Sequence, residues 1–252
     1  MSVPAGAPSK PLPSGSRRLD ALLQGGLPPG TAALVYGPPF LGKEMLARRF
    51  VAQNLKAGTP ALVVVTNQTS SDLRDDLVRM DAAVTAADRK GLLRFVDTYS
   101  RAVGAAPDVA PEGTEYLDGA LDLNGIALAV NKAQRGIIGE HDSHAFVLDS
   151  VSTLVAYSNP QTAFRFLQTL IGRIRRVGGT GLFLMDHGMH SEADVQMFKH
   201  IMTGTIELRE IAGKPQLQVQ GLGALAGQAW VEYRFSETDF EVTGSFAAGR
   251  IR

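Results

Sequence analysis

Apolar and polar residues divide this chain into two kinds of segment. Short apolar runs rich in Val, Leu and Phe predict buried strands, because strands covered on both faces form continuous hydrophobic stretches. In the segments between them, apolar residues recur every three or four positions, which predicts amphipathic helices. The strands predicted in this front part cover residues 31–36, 61–66, 92–96, 145–148 and 181–185.

The intervening helical patterns and the last fifty residues complete the predicted fold. Late apolar residues alternate with polar ones between turn residues, which indicates antiparallel edge strands at 205–209, 217–220, 229–235 and 240–243. The predicted helices cover residues 45–55, 121–138, 164–177 and 193–202, with a further helix starting at 70–73. Repeated strand–helix units followed by hairpins predict an α/β fold, with a mainly parallel central sheet flanked by helices and a C-terminal antiparallel extension.

The segment between the first predicted strand and the first predicted helix has the spacing of a phosphate-binding loop. It reads Gly-Pro-Pro-Phe-Leu-Gly-Lys-Glu, where the usual pattern is G-x-x-x-x-G-K-[ST]. Backbone N–H groups of such a loop bind phosphate, and its lysine reaches the outer phosphates. The flanking strand and helix favour this interpretation over an ordinary turn with two incidental glycines. The candidate nucleotide-binding residues are Gly37, Pro38, Pro39, Phe40, Leu41, Gly42, Lys43, Glu44 and Met45.

Two carboxylates are candidate ligands for Mg²⁺. Glu44 stands where the pattern has a Ser or Thr, whose hydroxyl holds the metal. A carboxylate there either repels the phosphates by about a few kcal/mol or becomes a ligand if Mg²⁺ lies between them, and the sequence leaves both roles open. Asp149 follows the predicted strand 145–148, where it is placed to hold Mg²⁺ or to serve as a turn or helix-cap residue.

Composition narrows the function classes. The 252 residues carry 25 Lys and Arg against 25 Asp and Glu, so no net charge attracts nucleic acid or an anionic membrane. The chain has no cysteine, which excludes disulfides and cysteine-ligated zinc. No apolar segment approaches the ~18 residues of a membrane span, and we expect a cytoplasmic protein. Residues 1–16 are rich in Pro, Gly, Ala and Ser and predict a flexible tail before a domain at 17–252.

Three segments resemble the KaiC-like branch of the RecA-type ATPases. They are the lead-in at 18–30 with the loop that follows, the third-strand segment at 95–100, and the Walker B strand at 147–152. The similarity runs from about Leu19 to Thr243, and the lead-in with its loop is the most specific part. This resemblance implies a RecA-like P-loop NTPase fold, ATP or ADP with Mg²⁺ as ligands, and a homo-oligomeric, hexameric ring with nucleotide between neighbouring subunits.

The sequence departs from the resembled family at two further functional positions. Where the family has water-activating glutamates, this chain has Asn67-Gln68-Thr69, and an amide cannot act as a general base. Gln68 could still orient a water molecule, as a glutamine does in some GTPases. The family's Lys-x-Arg-Gly turn corresponds to residues 218–224, which contain no cation. Losing such a cationic finger can cost ~10³-fold in rate.

These departures leave three hypotheses about function. The first, which we favour, is an ATP-binding regulatory or scaffold protein with weak or no hydrolysis, which acts through assembly and a protein partner. The second is a slow, active ATPase that uses Gln68 and Glu44 in unusual roles. The third is an interaction module that no longer binds nucleotide. Trp230, in the late strands, is either a subunit contact or a core residue.

Overall fold

The computed structural model describes residues 10–137, 140–223 and 229–244, which form ten strands and eight helices. The strands are β1 (Ala32–Gly37), β2 (Ala61–Val65), β3 (Leu93–Asp97), β4 (Thr114–Tyr116), β5 (His144–Asp149), β6 (Gly179–Asp186), β7 (Gly204–Ile211), β8 (Lys214–Gln220), β9 (Val231–Phe235) and β10 (Phe240–Val242). The helices are α1 (Arg17–Leu22), α2 (Lys43–Lys56), α3 (Ser70–Met80), α4 (Ala83–Arg89), α5 (Leu123–Arg135), α6 (Val151–Tyr157), α7 (Pro160–Arg176) and α8 (Glu192–Ile201).

All ten strands belong to one sheet. Their order is β10-β9-β8-β7-β1-β6-β5-β2-β3-β4. Pairing is parallel from β7 to β4 and antiparallel from β7 to β10. The predicted parallel sheet with an antiparallel extension is therefore confirmed. Because β1 lies between β7 and β6, its C-terminal end is flanked by the C-terminal end of β6 and by the middle of β7.

Each face of the sheet carries its own apolar core. One core joins α1 to α4 with the sheet, and Leu46 and Phe50 of α2 are fully buried in it. The other joins α5 to α8 with the opposite face. Helices on both faces explain why every residue of β2 is buried, as its uninterrupted apolar sequence predicts. The phosphate-loop helix α2 and the pair α5 and α7 thus lie on opposite sides of the sheet.

The structure corrects the prediction for the strand at 205–209. That strand, β7, is not an antiparallel edge strand, because it pairs in parallel with β1 and in antiparallel with β8. β7 runs parallel to β1 because the helix α8 precedes it. A crossover helix carries the chain back across the sheet, so the next strand runs in the same direction as the one before. The sequence of β7 alternates because Ile206 and Leu208 are buried whereas Glu207 and Arg209 are half-buried, a pattern that antiparallel strands with one solvated face also show. Three short elements, β4, α4 and α6, were not predicted.

The predicted flexible tail is wrong for residues 12–16. Leu12 is 4% exposed, and its backbone exchanges two hydrogen bonds with Leu27, of 2.9 and 2.7 Å. Asn54 of α2 donates to the carbonyl of Pro13, and Arg49 donates to that of Gly15. These contacts attach the segment to α2, which proline and glycine content alone could not show. Residues 1–9 of the predicted tail lie outside the described residues.

Across the described ranges, none of the helices combines the length and the hydropathy that crossing a bilayer requires.

His144 makes folding sensitive to acid. It is 1% exposed, and its Nε2 lies 3.2 Å from the side-chain nitrogen of Gln134. An amide nitrogen can only donate, so Nε2 accepts and the ring is neutral. Burial lowers the pKa of His144 to about 4. The stability that the neutral ring contributes is complete above the unfolded pKa of about 6.5 and is lost as the pH falls toward the folded pKa.

We predict that His144→Gln flattens the pH dependence of unfolding. Between about pH 7.5 and about pH 5, the wild type should lose about 2 kcal/mol more unfolding free energy than the variant. Urea titrations at the two pH values measure this difference. The exposed His200 provides the control, because His200→Gln should leave the wild-type pH slope intact. Equal slopes for wild type and His144→Gln would show that His144 is not the acid-sensitive group.

Candidate nucleotide-binding site

The loop ends at a helix N-terminus that no side chain caps. Gly42 is the N-cap residue of the 14-residue helix α2, in a left-handed conformation with φ of 80°, and it has no side chain to accept from the first turn. The N–H groups of the first turn of a helix have no partner within the helix. Together with the positive end of the helix dipole, they form a site for phosphate. The local geometry therefore agrees with the predicted loop.

Lys43 is buried between two carboxylates. Its side chain is 2% exposed, and Nζ lies 2.7 Å from Oε1 of Glu44 and 2.7 Å from Oδ1 of Asp186. Burial by itself would lower the pKa of Lys43, but the hydrogen bonds to Asp186 and Glu44 outweigh burial and raise it. The ammonium group is thus held charged at the point where the loop pattern requires a cation.

Asp186 is the site residue that sequence reasoning missed. It ends β6, and the parallel pairing of β1 with β6 sets it opposite Gly37, the first residue of the loop. The Ser152 hydroxyl accepts from its backbone N–H at 2.9 Å, which fixes the end of the strand. The available signal was a carboxylate directly after the predicted strand 181–185. Strand order was needed to use it, because several strands end in polar residues.

Asp149 is buried at the end of β5, as predicted from its position. It is 5% exposed, and its pKa is raised to about 6 by burial and then by the nearby charge of Glu44. Its carbonyl accepts from the N–H and the hydroxyl of Thr66 on the neighbouring strand. This support fixes the backbone at Asp149.

Gln68 connects the carboxylate of Asp149 to α2. Its Nε2 donates to Oδ2 of Asp149 at 2.9 Å, and its Oε1 accepts from Nη2 of Arg48 at 3.2 Å. Arg48 also pairs with Asp76, at 2.9 Å. Both ends of the Gln68 amide are therefore engaged by protein groups.

The residues predicted to act on metal and water come together. Glu44, Gln68 and Asp149 line one small cavity beneath the head of α2. A separate cleft of about 350 Å³ opens beside the first turns of α2. It is lined by Met45, Arg48, Asp76, Arg79, Glu237 and Thr238.

The C-terminal strands of the sheet pack on the loop. Tyr233 in β9 donates its hydroxyl to the carbonyl of Leu41 at 2.6 Å. The ring of Phe235 lies so close to Gly42 that a Cβ there would be 2.7 Å from its Cγ. Phe40, in contrast, is 91% exposed. Strand β9, which is far from the loop in sequence, therefore packs against one side of the loop.

A family model described as ATPase: KaiC matches residues 12–219. The chain belongs to this KaiC ATPase family. The match begins at Leu12, where the described structure also starts to pack, and it includes the loop, Gln68, Asp149 and Asp186. The family membership supports ATP binding and confirms the resemblance from which the fold was expected.

Individual KaiC relatives are distant. The UPF0273 protein PH0284 of Pyrococcus horikoshii is 27% identical over 164 residues, which are 65% of this chain and 62% of that protein. The UPF0273 protein MK0039 of Methanopyrus kandleri is 23% identical over 199 residues, which are 78% of this chain and 76% of that protein. The chain thus spans less than two thirds of the length of the Pyrococcus relative.

A solved structure shares the KaiC-like fold. The KaiC-like protein PH0186 of Pyrococcus horikoshii matches with a TM-score of 0.71 and 17% sequence identity, over 94% of this chain and 100% of that chain. At this identity the likeness shows the fold alone. It agrees with the observed mainly parallel central sheet and its antiparallel extension.

Trp230 was expected to be either a subunit contact or a core residue. This residue is half-buried, and the guanidinium of Arg209 lies 3.8 Å from the centre of its ring. Trp230 is therefore not a fully buried core residue, and its role as a subunit contact stays a prediction.

In the turn expected to lack a cation, Ala224 lies outside the described residues, whereas residues 218–223 carry no Lys or Arg.

We predict that Gly42→Ala destabilises the chain more than Gly58→Ala. Both glycines have φ of 80°, but a Cβ at Gly58 meets nothing within 4 Å, whereas one at Gly42 meets the Phe235 ring. The strain of a left-handed alanine is therefore common to both variants, and the contact adds about 1–3 kcal/mol at Gly42 alone. Denaturant unfolding measures the difference.

Phe235→Ala tests the cause of that difference. In its background, the extra cost of Gly42→Ala should shrink until the two glycine substitutions are alike. If the two single variants are equally stable, or if the Phe235→Ala background leaves the gap unchanged, the packing of β9 on the loop is not what requires glycine.

Proposed function

We propose that this chain binds ATP or ADP with Mg²⁺ at residues 37–45 and hydrolyses ATP weakly or not at all. It would act as a regulatory or scaffold protein through assembly and contact with a protein partner. One observation supports nucleotide binding: Lys43 is buried and charged at the N-terminus of an uncapped helix. The cleft lined by Arg48 and Thr238 supplies room for the nucleoside beside that site.

The residues around the loop fit Mg²⁺. Glu44 and Asp149 line the same cavity, and carboxylate oxygens are ligands that Mg²⁺ takes in nucleotide sites. When bound there, Mg²⁺ supplies positive charge that stabilises the phosphates during transfer. Glu44 would then attract the bound nucleotide through the metal, whereas without metal it repels phosphate.

Weak turnover is supported by the surroundings of Gln68. An amide occupies the position expected of the general base, and it cannot take a proton from water. Its two ends contact Arg48 and Asp149, which fix the orientation of the amide and leave one N–H and one oxygen lone pair for a water molecule. Arg48 is itself paired with Asp76, which further holds the arrangement.

Two alternatives each rest on one contact. A slow active ATPase is favoured by the hydrogen bond of Gln68 to Asp149, which keeps the amide close to the expected metal ligand. A module that does not bind nucleotide is favoured by the pairing of Lys43, since both carboxylates compete with phosphate for its ammonium group. Measuring binding and turnover separates all three functions.

Assembly and location complete the proposal. We propose a homo-oligomer, by analogy with ring-forming members of the family, in the cytoplasm. Because residues 218–223 supply no cation, a neighbouring subunit would gain little contact with the γ-phosphate. A ligand shifts assembly only through its differential affinity for the assembled state, so the oligomeric state should depend weakly on nucleotide. Light scattering with ADP and with a non-hydrolysable ATP analogue tests this, and assembly induced only by the analogue contradicts it.

We predict that millimolar ATP with Mg²⁺ raises the melting temperature of the wild type and not that of Lys43→Ala. The cause is mass action, because a ligand that binds only the folded state stabilises it. Lys56→Ala is the matched control, since Lys56 lies at the other end of α2 in an exposed pair with Asp81. That variant should keep the nucleotide-induced rise. A wild type without any rise would refute nucleotide binding.

Turnover gives the second prediction about function. We expect ATP hydrolysis at least ~10²-fold below ~1 s⁻¹, which is the low end of typical enzyme turnover. Phosphate release under single- and multiple-turnover conditions measures it. Gln68→Ala should change this slow rate little, because Gln68 supplies no base. Turnover near ~1 s⁻¹ or faster would contradict weak hydrolysis, and its loss in Gln68→Ala would then assign the orientation of water to Gln68.

A further inference from the structure

A wide groove lies between α5 and α7, on the face of the sheet opposite α2. Its volume is about 710 Å³. Leu121 and Leu128 line it and are 65% and 70% exposed, and Phe166 of α7 faces them across the groove. Apolar side chains gathered in one open groove are typical of surfaces that bind another molecule.

The α7 wall of this groove carries two arginines without a carboxylate partner. Arg165 and Arg173 both line the groove, and no ion pair involves either one within the described part of the chain. Nε of Arg165 donates only to the carbonyl of Gln161, at 3.4 Å in its own helix. The groove's carboxylate, Asp122, caps α5 by accepting from Gly125 at 2.8 Å. The two guanidinium groups are therefore available to anions.

The spacing of the two arginines indicates how far apart the carboxylates of a bound helix would lie. Arg173 lies eight positions after Arg165, which is about 12 Å along a helix axis at ~1.5 Å per residue. Thr169 lies between them on the same wall. An amphipathic helix lying in the groove would meet both arginines if it carried carboxylates about two turns apart, with its apolar side chains against Leu128 and Phe166.

Charge argues against the ends of this chain as occupants. Residues 1–9 contain no Asp or Glu, and residues 245–252 contain Arg250 and Arg252 without an acidic residue. Neither of these two segments supplies an acidic side chain for the arginine wall. We propose that the groove is a docking site for an acidic amphipathic helix of another protein. This proposal is independent of nucleotide binding, because the groove and the loop lie on opposite faces of the sheet.

Selection from a peptide library tests the proposal. The probe is a phage-displayed library of helical peptides with leucines at fixed helical spacing and random residues on the flanks, presented to the full chain. We expect enrichment of peptides with Asp or Glu two turns apart. The enriched peptides, made synthetically, should bind Arg165→Glu/Arg173→Glu at least tenfold more weakly than wild type in fluorescence anisotropy. They should also bind Leu128→Asp more weakly.

A matched variant distinguishes binding at the groove from a general effect of net charge. Arg89→Glu/Arg135→Glu makes the same change in net charge at exposed positions outside the groove, and it should bind the peptides like wild type. Circular dichroism confirms that each variant folds. The proposal is overturned if no peptide is enriched, if the enriched peptides are neutral or basic, or if both double variants lose binding alike. It is also overturned if light scattering shows self-association that Leu128→Asp abolishes, because a second copy would then fill the groove.

Discussion

The ion pairs of Lys43 are the interaction on which the candidate site depends. A buried ammonium needs a counter-charge, because an unpaired charge away from water is very costly. Glu44 comes from the same helix turn, and Asp186 comes from the neighbouring strand β6. The lysine therefore remains charged without nucleotide, and the two carboxylates occupy the ammonium group that phosphate would otherwise contact.

This arrangement makes nucleotide binding a competition between anions. Lys43 is accompanied by Glu44 and Asp186, and the buried Asp149 lies near Glu44. Two like charges about 4 Å apart repel by about 4 kcal/mol at intermediate dielectric, so phosphate without metal would bind poorly here. Mg²⁺ bound as proposed would reverse the sign of this contribution at Glu44 and Asp149, whereas Asp186 would continue to hold the lysine. The proposed metal-dependent binding and weak turnover would suit a protein that signals its nucleotide state through its contacts.

The sequence predicted the parts that depend on local pattern. The five front strands, the helix after the loop and the position of Asp149 follow from apolar periodicity and from the loop spacing. The contact of Lys43 with Asp186 needs the strand order, because β1 and β6 are far apart in the sequence and become neighbours only in the sheet. The packing of Phe235 on Gly42 and the ordered segment at Leu12 likewise arise from pairing between distant residues. Tertiary contacts of this kind leave no local signal.

Calorimetric titration of ATP with Mg²⁺ into wild type and Asp186→Asn tests the central claim most directly. The substitution keeps the side chain's size while it removes one of the charges that compete for Lys43. Glu192→Gln, an exposed change on α8, controls for the altered net charge. The account predicts that Asp186→Asn binds ATP several-fold to about tenfold more tightly, or up to about 1.4 kcal/mol, with Glu192→Gln like wild type. Unchanged or weaker binding to Asp186→Asn would contradict it.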